Sequence, residues 1–168
     1  MASENKKSPV AIVMGSDSDL PVMQSCINEL KTFDIEPIVR IISAHRTPDI
    51  AADFADTAAE NGIKVIIAAA GMAAHLAGAM AGRTTLPVIG VPLAASGGPA
   101  GLDALLSTVQ MPPGVPVATV AIGKAGAKNA AVLAVQILAL GDKNLAGKLT
   151  KFRKAQSQKV IQKDAELG

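Results

Sequence analysis

The chain has little of the residue types that form disulfides, stack on bases or carry charge. Its 168 residues include one cysteine, three phenylalanines and no tryptophan or tyrosine. A single cysteine excludes an intramolecular disulfide framework and suits a reducing compartment. The scarcity of aromatic rings disfavours the stacking platforms that bind single-stranded nucleic acids. The 16 basic and 14 acidic residues leave a formal net charge of +2, too small for general binding to a phosphate backbone.

Long apolar runs are also missing. A membrane-spanning helix needs about 20 apolar residues. The two richest segments are 65–80, which His75 and two glycines interrupt, and 130–140, which is too short. The polar residues 1–8 have no apolar segment of a secretory signal behind them. We therefore expect a cytoplasmic protein with neither a membrane nor a nucleic-acid partner. The mean hydropathy of +0.35 indicates a well-buried core or a large interface between subunits.

The length predicts a single domain over residues 1–168. Globular domains usually hold ~100–200 residues, and a chain of this size can bury a core without disulfides or metals. Hydrophobic residues make up 49% of the chain and charged residues 18%, as in folded domains. We expect a polar N-terminal tail over 1–8 and a lysine-rich C-terminal helix and tail over 144–168.

Short apolar runs alternate along the chain with segments of helical spacing. The runs predict strands at 10–14, 36–42, 65–68, 88–91 and 117–122, with Pro92 ending the fourth. Helices are predicted at 22–33, 48–60, 73–81, 102–109, 128–140 and 144–163, with Thr47 as the N-cap of the second and Pro48 as its first residue. The alternation indicates an α/β fold, a three-layer αβα sandwich around a parallel sheet. Five short strands in about 120 residues favour the flavodoxin-like strand order 2-1-3-4-5.

Polar, glycine-bearing segments follow the first three predicted strands, at 15–19, 43–47 and 70–75. In the order 2-1-3 these strands end side by side, so the segments should converge on a crevice where open α/β sheets bind ligands. In the first segment, Gly15 allows a sharp turn, and Ser16 and Ser18 offer hydroxyls beside a helix N-terminus suited to phosphate. Asp19 is an acceptor for ribose hydroxyls. The plainer interpretation is that these residues only cap a helix.

The second segment carries the residues best suited to catalysis. Arg46 can bind phosphate through two hydrogen bonds, and His45 can exchange a proton near neutral pH. Their plainer roles are a surface salt bridge for Arg46 and a packed core position for His45. His75, at the start of an alanine-rich helix, is either packed or part of the site. Cys26 falls on the apolar face of the first helix, without an activating neighbour.

Several common sites are absent from the sequence. Gly15 has no glycine two residues on, as a dinucleotide fingerprint requires, and Gly147-Lys148 is followed by a leucine rather than by the Ser or Thr of an ATP-binding loop. The G-x-S-x-G motif of serine hydrolases does not occur. Two histidines and one cysteine do not form a zinc spacing, so we expect no metal.

Several motifs together resemble the bacterial (class I) N5-carboxyaminoimidazole ribonucleotide mutases of purine biosynthesis. They are GSDSD at 15–19, SAHRTP at 43–48, AAHL at 73–76, PVIGVP at 87–92, and GLDALLS at 101–107 continuing to VQMP at 109–112. The resemblance runs from about Val10 to Leu140. It implies a flavodoxin-like fold assembled as a homo-octamer. It also implies an isomerase that moves a carboxylate from N5 to C4 of aminoimidazole ribonucleotide, without a metal or an organic cofactor.

The same resemblance implies roles for single residues. His45 matches the general acid/base. The substrate-binding candidates, which match the family's nucleotide-binding positions or lie in the same motifs, are Ser16, Ser18, Asp19, Ser43, Arg46, Gly71 and His75. Three positions depart from the family pattern, because Leu20 stands where tryptophan is usual, Met72 replaces a glycine and Ala77 a proline. The segment 93–100, with Gly97-Gly98-Pro99, is one residue longer than usual.

Two alternatives stay open. Aminoimidazole ribonucleotide carboxylases, which use CO2 directly, are similar in fold and pocket but carry lysine after the histidine, where this chain has Arg46. A non-catalytic, flavodoxin-like module that binds a nucleotide or a flavin is the second alternative, and it would leave His45 without a role.

Overall fold

The computed structural model describes residues 7–167. Strands and helices alternate in this part of the chain, and a 3-10 turn at Asp17–Asp19 precedes the first helix. The strands are β1 Val10–Met14, β2 Ile38–Ile41, β3 Val65–Gly71, β4 Val88–Leu93 and β5 Ala118–Thr119. The helices are α1 Leu20–Thr32, α2 Pro48–Thr57, α3 Leu76–Ala81, α4 Leu102–Val109, α5 Gly123–Ala139 and α6 Lys143–Ala165.

The strands form one parallel sheet in the order β2-β1-β3-β4-β5, which confirms the predicted order and fold class. β1 lies between β2 and β3, with Val13 opposite Arg40 on one side and Ala68 on the other. Every residue of β1 is buried, because helices cover both faces of the sheet. The carboxyl ends of β1, β2 and β3 are therefore neighbours at one edge of the sheet.

Alternate residues of the central strands point to opposite faces of the sheet and build two cores. Ile12 and its register partner Ile67 pack in the core that α1 and α5 cover. Val13 belongs to the opposite core, which α2 and α3 cover. α4 lies against β4 so closely that a Cβ on Gly90 would overlap the Thr108 Cγ2 atom. Small residues at these contacts let the helices approach the sheet.

Pro92 lies inside β4, contrary to the prediction that it ends this strand. The Gly90 carbonyl accepts a hydrogen bond from the Val120 N–H. The backbone N–H and C=O groups of the even-numbered residues of β4 therefore point toward β5. Among the described residues, β5 pairs with Ile89 and Gly90 and does not extend along β4 to Pro92. The missing N–H of proline therefore costs no ladder hydrogen bond, and β4 continues beside β3 as far as Leu93.

Other element bounds differ from the prediction where the chain turns tightly. The strand expected at 117–122 shortens to Ala118–Thr119, and α5 begins at Gly123 instead of residue 128. The backbone of Ala121 runs so close to the first turn of α5 that a Cβ on Gly126 would overlap the Ala121 carbonyl oxygen. α3 begins at Leu76 rather than residue 73, with His75 at its N-cap position. α2 ends at Thr57 rather than residue 60.

The lysine-rich C-terminal helix forms as α6. The Asp142 carboxylate caps it by accepting hydrogen bonds from the N–H groups of Asn144 and Leu145, at 2.8 and 3.1 Å. The helix is anchored by Lys148 Nζ, 2.6 Å from the Asp34 carboxylate, and by Phe152, whose ring centroid lies 5.2 Å from that of Phe33. After Phe152, its side chains are exposed.

Of the expected N-terminal tail, residues 1–6 lie outside the described residues, and Ser8 is buried with its hydroxyl donating to the Val10 carbonyl. None of the helices between residues 7 and 167 is long and apolar enough to cross a membrane.

Candidate active site

A cavity of about 800 Å³ opens at the carboxyl edge of the sheet. It is bounded by the loops that follow β1, β2, β3 and β4. The structure places every candidate from the sequence in its wall, namely Ser16, Ser18, Asp19, Ser43, His45, Arg46, Gly71 and His75. The convergence follows from the strand order, because parallel strands that are neighbours release their loops at the same edge.

The loop after β1 is ordered by its own side chains. Ser16 has an extended backbone, with φ −152°, and its hydroxyl oxygen accepts a hydrogen bond from the Ser18 N–H at 3.3 Å. The Asp19 carboxylate accepts one from the Ser16 N–H at 3.0 Å, which completes a capping box. Ser16 and Asp19 thus cap the helical turn and also line the cavity, so the two interpretations of this loop are compatible.

The environment of Asp19 makes its carboxyl more basic than usual. Burial raises its pKa, and hydrogen bonds from backbone N–H groups, with that of Ser16 the largest, oppose the rise. A carboxylate that is half-buried and already held by one N–H is a fixed acceptor. It can orient hydroxyl groups of a ligand in the cavity.

Arg46 joins the loops after β1 and β2. Its Nη2 donates to the Gly15 carbonyl at 2.8 Å, and its backbone N–H donates to the Ser43 hydroxyl at 3.1 Å. Thr47 occupies the N-cap position of α2 as predicted, but its hydroxyl does not cap the helix. That hydroxyl instead accepts from the Ser43 N–H and donates to the Ser43 carbonyl, both at 3.0 Å. These bonds hold the guanidinium at the cavity wall.

His45 and His75 form a hydrogen-bonded pair in the cavity wall. Nε2 of His45 lies 2.8 Å from Nδ1 of His75, and the rings meet at an interplanar angle of 80°. One nitrogen must carry the proton while the other offers its lone pair. The sequence placed each histidine near the crevice but did not predict their contact, because 30 residues and one strand separate them.

The loop after β3 approaches the end of β4 closely. A Cβ on Gly71 would lie 3.1 Å from the Leu93 carbonyl oxygen, so glycine fits this contact best. Met72, the next residue, has a positive φ of 56° and an exposed side chain.

Part of the cavity wall consists of residues that were not predicted as site residues from the sequence. Residues that line the cavity and were not candidates are Gly15, Ala44, Ala70, Met72, Ala73, Leu76, Leu93, Ala94, Ala95 and Ser96. Four of them belong to the motifs at 15–19, 43–48 and 73–76, namely Gly15, Ala44, Ala73 and Leu76. The others are small or apolar and belong to none of the motifs. The available signal was topological, since β4 is the neighbour of β3 and its loop leaves at the same edge. Across residues 7–167, no group of three or more His, Cys, Asp or Glu side chains could hold a metal ion.

The family model for AIR carboxylase matches residues 9–159 of this chain. The chain belongs to the AIR carboxylase family. Within this family, it is 52% identical over 168 residues to the N5-carboxyaminoimidazole ribonucleotide mutase of Escherichia coli K12, covering 100% of this chain and 99% of that one. The identity to the mutase of the same name from Bacillus subtilis is 52% over 158 residues, covering 94% and 97% of the two chains. The mutase from Mycobacterium tuberculosis H37Rv is 50% identical to this chain over 167 residues, covering 99% of this chain and 94% of that one.

The fold agrees with this family. The chain superposes on a crystal structure of Treponema denticola PurE with a TM-score of 0.84 at 34% sequence identity, covering 94% of this chain and 97% of that one. The resemblance that the sequence motifs indicated is thereby confirmed, and so is the flavodoxin-like architecture.

Proposed function

We propose that this chain is an isomerase of purine biosynthesis, which converts N5-carboxyaminoimidazole ribonucleotide to 4-carboxy-5-aminoimidazole ribonucleotide. Relatives that carry the mutase name match it at about half of all positions over nearly their full lengths. The observation that carries the proposal is the cavity itself, where anion-binding groups and the paired imidazoles of His45 and His75 share one wall. Such a site suits a phosphorylated substrate that gains and loses a proton.

The binding groups fit a ribonucleotide. We assign the substrate phosphate to Arg46 and to the hydroxyls of Ser16 and Ser18, because a guanidinium and hydroxyl donors bind phosphate oxygens well. Asp19 accepts hydrogen bonds from the ribose hydroxyls. Other groups of the wall, namely Ser43, Gly71 and His75, complete the binding site.

The chemistry balances with one proton carrier. In the first step the N5–carboxylate bond breaks, CO2 leaves, and N5 takes a proton from His45. In the second step C4 attacks the trapped CO2, a C–C bond forms, and the proton of C4 returns to His45. The partner nitrogen of His75 keeps the His45 ring oriented through both transfers. Holding CO2 beside C4 gives it a high effective concentration.

A direct experiment tests this activity. Synthetic N5-carboxyaminoimidazole ribonucleotide is incubated with the protein, and aminoimidazole ribonucleotide plus bicarbonate is assayed in parallel. We expect fast conversion of the first substrate and slow conversion of the second. Faster turnover of the second would identify a carboxylase, and binding without turnover of either would identify a nucleotide-binding module. The His45→Asn variant serves as the background control.

The exposed apolar surface favours an assembly of subunits, which we propose is a homo-octamer in the cytoplasm. Leu102, Leu106 and Val109 line one side of α4 and are about half exposed, and Ile41 at the sheet edge is 56% exposed. Apolar faces of this kind mark subunit interfaces. Light scattering should give about eight times the subunit mass of 17.0 kDa. A monomer at micromolar concentration would contradict the octamer without touching the proposed chemistry.

A further inference from the structure

Met72 occupies a backbone conformation that favours glycine. Its φ is 56°, in the left-handed region, where a Cβ crowds the backbone. Gly71 immediately before it has a negative φ, so the glycine of this loop does not serve the left-handed position. Met72 therefore has a side chain at a position where the backbone conformation favours glycine.

The Met72 side chain lies at the open rim of the cavity. The cavity wall, as formed by the described residues, includes three large apolar side chains, those of Met72, Leu76 and Leu93. Leu76 and Leu93 are buried, at 2% and 4% exposure, and form part of the protein core. Met72 is 65% exposed and is thus the one of the three that a ligand in the cavity could cover.

The rest of the wall is polar or small around this rim. Ser16, Ser18, Asp19 and Arg46 lie on the loops after β1 and β2, and the loop after β4 contributes Ala94, Ala95 and Ser96. Small side chains cannot close an opening. A thioether chain with three rotatable bonds is apolar and adapts to the shape of what it covers.

We propose that Met72 closes the cavity over the reacting ring and retains CO2 between the two half-reactions. The inference rests on the proposed function, because retention matters only where CO2 is released and recaptured. By covering the ring, Met72 excludes water and keeps CO2 near C4, so that recapture outruns escape. Met72 contacts the substrate but neither donates nor accepts its proton.

The test measures how much of the CO2 released from the substrate stays in the cavity until it is recaptured. N5-carboxyaminoimidazole ribonucleotide is turned over in 13C-bicarbonate, and mass spectrometry gives the labelled fraction of the product and the fraction released as aminoimidazole ribonucleotide. The variants are Met72→Gly, which removes the side chain, and Met72→Leu, which restores apolar bulk. Ala100→Gly is the matched control, since Ala100 also has a positive φ of 56° but does not line the cavity.

After the uncatalysed background is subtracted, we expect Met72→Gly to raise the labelled fraction of the product about threefold or more over the wild type. The fraction released as aminoimidazole ribonucleotide should rise by a similar factor. Met72→Leu and Ala100→Gly should stay near the wild type. The melting temperature of Met72→Gly should not fall, because glycine accepts the left-handed backbone. If Met72→Gly partitions like the wild type, or if Ala100→Gly leaks equally, the retention role is wrong. A wild type that does not convert the substrate would instead refute the proposed function.

Discussion

Nε2 of His45 and Nδ1 of His75 lie 2.8 Å apart, with their rings edge to face. The hydrogen bond ties the loop after β2 to the loop after β3, across the end of β1. It engages Nε2 of His45, whereas Nδ1 of the same ring is not part of this contact. The pair therefore makes the orientation of His45, the proton carrier that we propose, depend on a residue 30 positions away.

His45→Asn should abolish turnover while nucleotide affinity stays within about a factor of ten, roughly 1.4 kcal/mol. Asparagine keeps a polar side chain but cannot carry a proton. General acid/base groups contribute typically 10²–10⁴-fold in rate. Single-turnover rates and calorimetric binding of aminoimidazole ribonucleotide measure the two effects separately.

His75→Asn should retain more activity than His45→Asn, because an amide can replace one hydrogen bond to the His45 ring. We expect it to change affinity or stability more than the chemical step. His75→Phe, which keeps a ring but no hydrogen bond, should be slower than His75→Asn. A fast His45→Asn beside an inactive His75→Asn would reverse the roles assigned to the two residues.

Arg46→Ala should weaken nucleotide binding by about 1.5–3 kcal/mol, roughly ten- to a hundredfold, as expected for the loss of a charge-assisted hydrogen bond. Turnover of the bound substrate should fall less. Arg46→Lys should recover only part of the affinity, since it also loses the bond from Nη2 to the Gly15 carbonyl. Calorimetry decides the point, and equal affinities of wild type and Arg46→Ala would remove the phosphate role.

Gly126→Ala should destabilise the fold by about 3 kcal/mol or more. Its Cβ would overlap the Ala121 carbonyl oxygen, which belongs to rigid backbone and cannot rotate away. The control is Gly147→Ala in the exposed part of α6, where a Cβ meets nothing within 4 Å. That change should stabilise the helix by about 0.5–1 kcal/mol. Urea denaturation of both variants gives the comparison, and a Gly126→Ala as stable as the wild type would contradict the close approach.

Cys26 should be inert to thiol reagents in the native protein. It is fully buried on α1, and burial, with a smaller effect from Glu29, raises the pKa of its thiol to about 12. Little thiolate exists at pH 8, and the reagent cannot reach it. Ellman's reagent should therefore detect the thiol only after unfolding in guanidinium, whereas a cysteine introduced by Ser157→Cys, on the exposed part of α6, should react at once. Rapid native labelling of Cys26 would show that α1 opens.

Apolar patterning was sufficient to predict a parallel sheet, and the number and length of the strands favoured the order that the structure shows. A strand buried on both faces shows a continuous apolar run, as Val10–Met14 does, and such runs alternate with segments of helical spacing as far as α5. The polar segments at the strand ends then marked the site, because parallel strands deliver their following loops to one edge. Ser16, Asp19, His45 and Arg46 could be identified as cavity residues for this reason alone.

Tertiary structure decided what depends on contacts between distant segments. The hydrogen bond between His45 and His75, the tie from Arg46 to Gly15 and the continuation of β4 through Pro92 all require knowing which atoms face each other across the fold. A local pattern carries no such information, because the spacing of residues along the chain is the same whichever distant segment they face. The positive φ of Met72 likewise appears only in the tertiary structure, because nothing in the neighbouring sequence specifies it.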